Sequence, residues 1–288
     1  MTESKLPLYI TPRIVDGLGN RLFQLANTVE LGKRWGLPVR FCRKVNIQCN
    51  HGNLEHFYRM FPSIPLDKDP PTNGWTIYAQ NGDTSYGYTS APDTFPTDTP
   101  ILVVGHFQNV QYMTPMTLQP DWESLFGVTG IKEIQQESGL VTPVEQARTW
   151  MIHFRFGDYL KLQHHQLNLR KYMLRCTMSL PSGSRLHVFS DEPERCKSYI
   201  EDILEHNSLE VTWSKSKIDV VALYEMSLCL GGAITANSTF SWWGAYFAKQ
   251  RAEVNRLSYT AYYPSSYGDN LPDAAPLIPE WGTKVAVN

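Results

Sequence analysis

No stretch of the 288-residue sequence is apolar for the length that a bilayer-crossing helix requires, about 20 residues. The first residues, MTESKLPLYITPRIV, lack a secretory core as well, because Lys5, Pro7 and Pro12 interrupt it. Charge of one sign is also scarce. There are 26 basic against 28 acidic residues, a net −2, and no basic stripe, so nucleic acid binding has little support. Five cysteines, an odd number with no CxxC pair, fit free thiols in a reducing compartment. The chain is therefore expected to be soluble and cytoplasmic.

Common catalytic signatures are missing too. There is no GK[ST] to close a nucleotide P-loop, and no GxSxG elbow for a Ser-His-Asp hydrolase. Cys42, Cys49, His51 and His56 lie close in sequence, but their spacing matches no common zinc site. Free thiols and loop histidines are the better reading there. Asp67-Lys68-Asp69 has the form of a manganese-binding DxD, yet two prolines follow it in an irregular stretch. No metal site is expected.

Aromatic side chains, by contrast, are abundant, with 8 Trp and 15 Tyr. Such rings meet flat sugar and base faces, and they equally fill cores. The order of elements is more informative. A short strand over 8–15 ends at Asp16-Gly17-Leu18-Gly19-Asn20. Leu22, Leu25, Ala26 and Val29 then recur at helical spacing to about Trp35, and a strand resumes at Val39. Residues 62–100 are irregular, and Ile101–Val104 reads as a buried strand. A helix over 128–148 leads into a second series, with strands near 150–152, 186–189, 210–213 and 232–235, each followed by a helix, and a loop-like tail. Two α/β domains, 1–148 and 149–288, follow from this order. Polar clusters sit where strands hand over to helices, the edge at which open parallel sheets bind ligands.

Each cluster has two readings when taken alone. DGLGN lets backbone approach an anion at a helix N-terminus, but Leu22 stands where the dinucleotide fingerprint needs its third glycine. A tight capping turn fits equally. In HFRFGDY, Arg155 offers a planar fork suited to phosphate, and Asp158 can simply pair with it, which is the favoured reading in isolation. In ITANSTFSWWGAYF, the hydroxyls of Ser238, Thr239 and Ser241 either meet phosphate or cap a helix. In VFSDEP, Asp191 either takes donors from a base or ribose, or caps the next helix.

Together, DGLGNRLFQLA, GHFQNVQYM, HFRFGDY, FSDEP and ANSTFSWWGAYF, in this order, resemble glycosyltransferase family 11, the α-1,2-fucosyltransferases. The pattern of that family runs roughly GGLGNQLFQ, G(Y/W/F)Q, HxRRGDY, FSDD and NSSFSWWGA, and Leu277-Ile278-Pro279-Glu280-Trp281 is similar to its ending. The resemblance spans nearly the whole chain. It implies a GT-B-type α/β fold, two Rossmann-like domains facing a cleft, with GDP-fucose bound by the C-terminal domain and the acceptor on the N-terminal side. It implies inverting, metal-independent transfer of L-fucose from GDP-β-L-fucose to a sugar hydroxyl, usually O2 of a terminal galactose in a glycan. No cofactor is implied beyond that donor.

The same resemblance assigns roles. Arg155 would stabilise charge on the departing β-phosphate. Asn237, Ser238, Thr239 and Phe240 would complete the phosphate cradle, with His153 on ribose or phosphate and Ser190 and Asp191 on the guanine side. Gly19, Asn20 and Arg21 would approach the donor from the other domain. Asp158 and Asp16 are both candidates for a general base, and the choice stays open, since some related fucosyltransferases manage without a strong one. The 62–100 stretch and the Tyr-rich 259–267 segment are candidate acceptor walls. Phe156 replaces the second motif arginine, Asp16 a glycine, Arg21 a glutamine and Glu192 an aspartate. Arg21 is the candidate to replace the lost cation. Transfer to a different hydroxyl or acceptor, and a sugar-binding relative weakened in transfer, are the alternatives.

Overall fold

The computed structural model describes residues 8–46, 52–80, 85–114 and 117–287. The chain forms two compact units, Met1–Leu125 and Phe126–Asn288.

In the first unit, Ile10–Pro12 (β1) leads into Leu18–Trp35 (α1), which Gly36 ends in the left-handed conformation at φ 66°. Phe41–Cys42 (β2), Leu54–Arg59 (α2), Leu66–Asp67 (β3), Thr76–Ala79 (β4) and Ile101–Val104 (β5) follow. A three-stranded parallel sheet has the order β1-β5-β4, and β2 pairs in parallel with β3. Ile10, Leu31, Ile101, Val103 and Phe107 form a core under that sheet. The stretch expected to be irregular thus contains a ladder strand. Period-two reading misses it because β4 packs mainly through Tyr78, against Trp35 and Phe95.

Trp122–Ser138 (α3) is broken at Gly127 (φ 71°, ψ 165°), beside the division between the units. The second unit continues with Pro143–Arg148 (α4), Thr149–Phe154 (β6), Arg170–Met178 (α5), Arg185–Ser190 (β7), Pro193–His206 (α6) and Glu210–Trp213 (β8). Asp219–Ser227 (α7), Gly232–Ile234 (β9), Thr239–Val254 (α8), Thr260–Pro264 (β10) and Gly282–Val285 (β11) complete it. The sequence reading drew the domain boundary at 148/149, whereas the compact units divide at 125/126. Hydrogen bonds tie the intervening segment to the second unit. Arg185 donates to the Gly139 carbonyl and the Thr149 hydroxyl, and the Leu230 N–H donates to the Gln146 carbonyl.

All six strands of the second unit are parallel, in the order β11-β10-β9-β6-β7-β8. Every residue of β6 is buried, as a strand covered on both faces requires. Trp150, Ile152, Phe154, Tyr172, Val188 and Ile234 pack together in its core. Gly232 is required there, since a Cβ would lie 2.3 Å from the Trp150 ring at a backbone φ of 155°. The chain lays down β6, β7 and β8 outward in one direction and then returns to β9 on the other side of β6. The crevice between β6 and β9 is therefore the topological switch point of a doubly wound sheet, where such folds bind ligands at the strands' carboxyl ends.

The tail, expected to be loop-like, supplies β10 and β11. Three of its four tyrosines, Tyr259, Tyr263 and Tyr267, are buried and do not form an open wall, and Tyr262 is partly buried. Cys42, Cys176, Cys196 and Cys229 are buried free thiols, and burial pushes Cys176 up to about 12 and Cys196 to about 11. Of the residues weighed for zinc, Cys49 and His51 lie outside the described residues. Among those described, no helix is long and apolar enough to cross a membrane.

Candidate active site

HFRFGDY begins as the end of β6 and then turns outward. His153, still in the strand, has a buried ring with Phe240 beside it, ring centroids 5.9 Å apart. Burial, reinforced by the charge of Arg155, holds its imidazole down at about 3 from an ordinary 6.5, so it is neutral. Its Nδ1 has no hydrogen-bond partner among the described residues.

Arg155, the first residue past β6, holds two carboxylates. One terminal nitrogen donates to Asp191 at 2.7 Å and the other to Asp158 at 2.5 Å. Asp191, just beyond β7, uses its second oxygen to accept the Phe156 N–H at 2.9 Å. That double attachment ties the ends of two adjacent strands together. It depends on Gly157, whose φ is 22° and whose added Cβ would sit 2.6 Å from Asp191 Oδ2. The cluster of one arginine and two aspartates carries a charge of −1. These bonds use two of the five N–H donors of the guanidinium and leave the others to a further acceptor such as a phosphate oxygen. Asp158, the more exposed of the two at 38% against 25%, is the weaker anchor.

On the other side of the switch point, the segment between β9 and α8 supplies Asn237 to Phe240. The Asn237 side chain donates to the His165 carbonyl at 2.9 Å, and the backbone carbonyl of Asn237 accepts from the Tyr159 hydroxyl at 3.3 Å. These two bonds join the loops after β6 and β9. Ser238 caps α8, its hydroxyl accepting the Phe240 N–H at 3.3 Å. Ser190 likewise accepts the Glu192 N–H at 3.0 Å. Beside these loops lies a cavity of about 530 Å³, lined by Arg155, Phe156, Tyr159, Asn237, Arg170, Arg195 and Tyr199, among others.

Phe156 is half-buried in this wall. It stacks on Phe154 (centroids 6.2 Å, 19°) and packs on Tyr199 at 5.8 Å. The Arg195 guanidinium stands over its ring at 5.7 Å. A cation thus reaches the place of the missing motif arginine from α6. The sequence does not single out Arg170 on α5 or Arg195 and Tyr199 on α6, because neither helix carries a motif and only the fold brings them here. Arg21, expected to supply that cation, is fully buried in the first unit, with its Nε donating to the Asp16 carbonyl at 2.7 Å.

A second cluster lies in the first unit, at the carboxyl ends of β1 and β5. Asp16 Oδ2 is 2.8 Å from His106 Nε2, and His106 Nδ1 is 3.2 Å from the Ser85 hydroxyl. Asn20, in the first turn of α1 beside the buried Gly19, accepts from Gln108 at 3.0 Å. Asp16 (φ 65°) and Phe107 (φ 52°) are two of three non-glycine residues with positive φ among those described. Such conformations cost on the order of 1 kcal/mol or more each. One hydrogen bond returns about 0.5–1.5 kcal/mol, so Asp16–His106, with side chains 48% and 40% exposed, does not offset the strain of both residues. The DxD-like carboxylates are engaged elsewhere, Asp67 by Arg40 at 3.3 Å and Asp69 by Lys44 at 2.6 Å.

No family model matches the chain. An α-1,2-colitosyltransferase of Escherichia coli is 32% identical to it over 102 residues, 33% of this chain and 34% of that protein. Over that third, the chain is similar to a glycosyltransferase. The match thus spans about a third of the relative's length. Among solved structures it is similar to the α-1,6-fucosyltransferase NodZ co-crystallized with GDP, at 12% identity and a TM-score of 0.47 over 83% of this chain and 92% of that one. It is also similar to POFUT1 in complex with GDP-fucose, at 10% identity and a TM-score of 0.46 over 85% and 95%.

Proposed function

We propose that the chain is a glycosyltransferase that moves L-fucose from GDP-β-L-fucose to a sugar hydroxyl, O2 of a terminal galactose, with inversion and without a metal. The donor binds the second unit and the acceptor the first, the division of labour of a GT-B enzyme. The observation that carries this reading is the placement of Arg155, Asp158, Asp191 and Asn237 around the β6–β9 switch point, beside the cavity. The colitosyltransferase relative supports the reaction class.

Cleavage of the bond to fucose leaves charge on the β-phosphate, and a fixed cation at that oxygen lowers the barrier. Arg155 fills this role through the N–H donors that Asp158 and Asp191 leave unused, while Asp191 keeps the guanidinium in place from β7. His153, neutral and buried, supplies shape and dipole at the end of β6 and not a second positive charge. The pocket over Phe156 and Tyr199 offers a flat apolar surface, with Arg195 above it, for the nucleoside part.

Colitose is L-fucose without its 3-hydroxyl, and the relative makes it a second candidate sugar. The experiment is to incubate the pure protein with EDTA, a panel of galactosides and either GDP-fucose or its 3-deoxy counterpart. GDP release and product linkage are then followed by chromatography and NMR. Release with one donor and a 1→2 product is the expected result. Binding without release from either donor refutes the enzymatic reading, and turnover that needs added manganese refutes the metal-free mechanism.

A further inference from the structure

Resting on that reading, we propose that Asp16 and His106 are the catalytic base, with His106 Nδ1 taking the proton of the acceptor hydroxyl. The hydrogen bonds define the tautomer. A carboxylate only accepts, so at 2.8 Å Asp16 Oδ2 accepts a hydrogen bond from the Nε2–H of a neutral His106. The lone pair then lies on Nδ1, and the Ser85 hydroxyl at 3.2 Å donates to it. Ser85 thus marks the position at which a hydroxyl meets this nitrogen, and the acceptor's hydroxyl replaces it there. Both side chains are partly open to solvent, so a substrate can reach them.

The surroundings hold the dyad against local preference. Asp16 and Phe107 both adopt left-handed backbone, one on each strand end. Gln80 Oε1 accepts from the N–H of His106 at 3.0 Å and of Phe107 at 2.9 Å, locking the turn after β5. Arg21 grips the Asp16 carbonyl from the buried side. Strain of this kind, over-determined by hydrogen bonds and not returned by the Asp16–His106 contact, is characteristic of functional sites. Asp16 is also a position at which the chain departs from the pattern it resembles, and its imidazole partner is 90 residues away.

In the transfer step the acceptor O–H bond breaks as its oxygen bonds to C1 of fucose. The C1–O bond to the β-phosphate breaks, and its electron pair leaves with GDP. The proton goes to Nδ1, and the imidazolium is stabilised by Asp16 before it returns the proton to water. This is general-base catalysis, typically a 10²–10⁴-fold effect.

His106→Gln keeps a side chain of similar reach that cannot accept the proton. Its kcat for transfer should fall about 10²-fold, with the affinity for GDP unchanged by calorimetry. Asp16→Asn keeps an acceptor without the charge and should lose about 10-fold, below that range because the imidazole is still present. In His106→Ala, added imidazole should restore turnover, a rescue that a merely structural role would not give. Turnover by His106→Gln within threefold, on the order of assay error against that range, overturns the dyad alone. Failure of the unmodified protein to release GDP from any donor overturns the transferase reading and the dyad with it.

Discussion

The buried imidazole of His153 makes a prediction about stability that does not depend on knowing the substrate. Its ring lies in β6 with no solvent access to speak of, 5% for the residue, and its pKa is held near 3 against 6.5 when exposed. Desolvation is the larger cause and the Arg155 charge the smaller. Because the folded-state pKa is depressed, the native state binds fewer protons than the unfolded chain at any pH between these values. Stability is therefore lost as pH falls from about 6.5 towards 3, at about 1.4 kcal/mol per pH unit. Two units below 6.5, at pH 4.5, the loss from this one group is about 2–3 kcal/mol. Carboxylates titrate in the same window, so the measurement is a difference. Urea unfolding of the wild type and of His153→Gln, followed by circular dichroism at pH 7.5 and 4.5, isolates the imidazole. Glutamine is neutral throughout, so the variant should gain about 2–3 kcal/mol on the wild type between the two pH values, whatever its stability at pH 7.5. Parallel curves would refute the reasoning, because they mean the ring is protonated in place or reaches water. The outcome bears on the site as well, since a neutral His153 leaves the positive charge at the end of β6 to Arg155.

Three further perturbations address the same loops. Arg155→Lys replaces a planar fork by a point charge that cannot span Asp191 and a phosphate together. Steady-state GDP release should fall about 10²-fold, and retention of wild-type kcat would exclude Arg155 from the leaving-group role. Gly157→Ala forces a methyl to within 2.6 Å of Asp191 at an unfavourable φ. It should cost about 1–3 kcal/mol in urea unfolding and weaken GDP binding, because Asp191 moves off Arg155. Phe156→Arg restores the motif arginine but loses the rings of Phe154 and Tyr199 and meets Arg195 head-on. A loss of about 1–2 kcal/mol is expected in a thermal melt, and a stabilised variant would show that the aromatic packing is incidental.

What the sequence made legible follows apolar or periodic signal, not strand length, since β5, β8 and β9 are legible at three or four residues. The helix after DGLGN and the six-residue strand before HFRFGDY carry enough periodic or apolar signal to be read directly. β4, β10 and β11 do not, β11 lying at the sheet edge with half its length exposed. Their strand character comes from the neighbour to which they hydrogen-bond, which no local pattern encodes. The Tyr-rich segment failed for a related reason. A run of tyrosines looks the same whether the rings line a groove or fill a core, and here Tyr263 lies wholly inside.

Within the site, the residues legible in the sequence lie in the motifs, whereas Arg170, Arg195 and Tyr199 lie on helices without one. Asp158 illustrates the limit. Three residues from Arg155, it was legible both as its ion-pair partner and as a base, and the structure records the pairing. Its Oδ1 already accepts from the guanidinium, so taking a substrate proton there means giving up that bond. Asp16 faces an imidazole instead, which can carry the proton itself. Between the two aspartates left open by the sequence, this difference in partners favours Asp16. His106 was inside a quoted motif all along, but nothing in its neighbourhood tied it to a residue 90 positions earlier. Two of the chain's departures from the pattern it resembles thus acquire physical partners, Asp16 with His106 and Phe156 with Arg195, each contributed by a segment that sequence reading had left without a role.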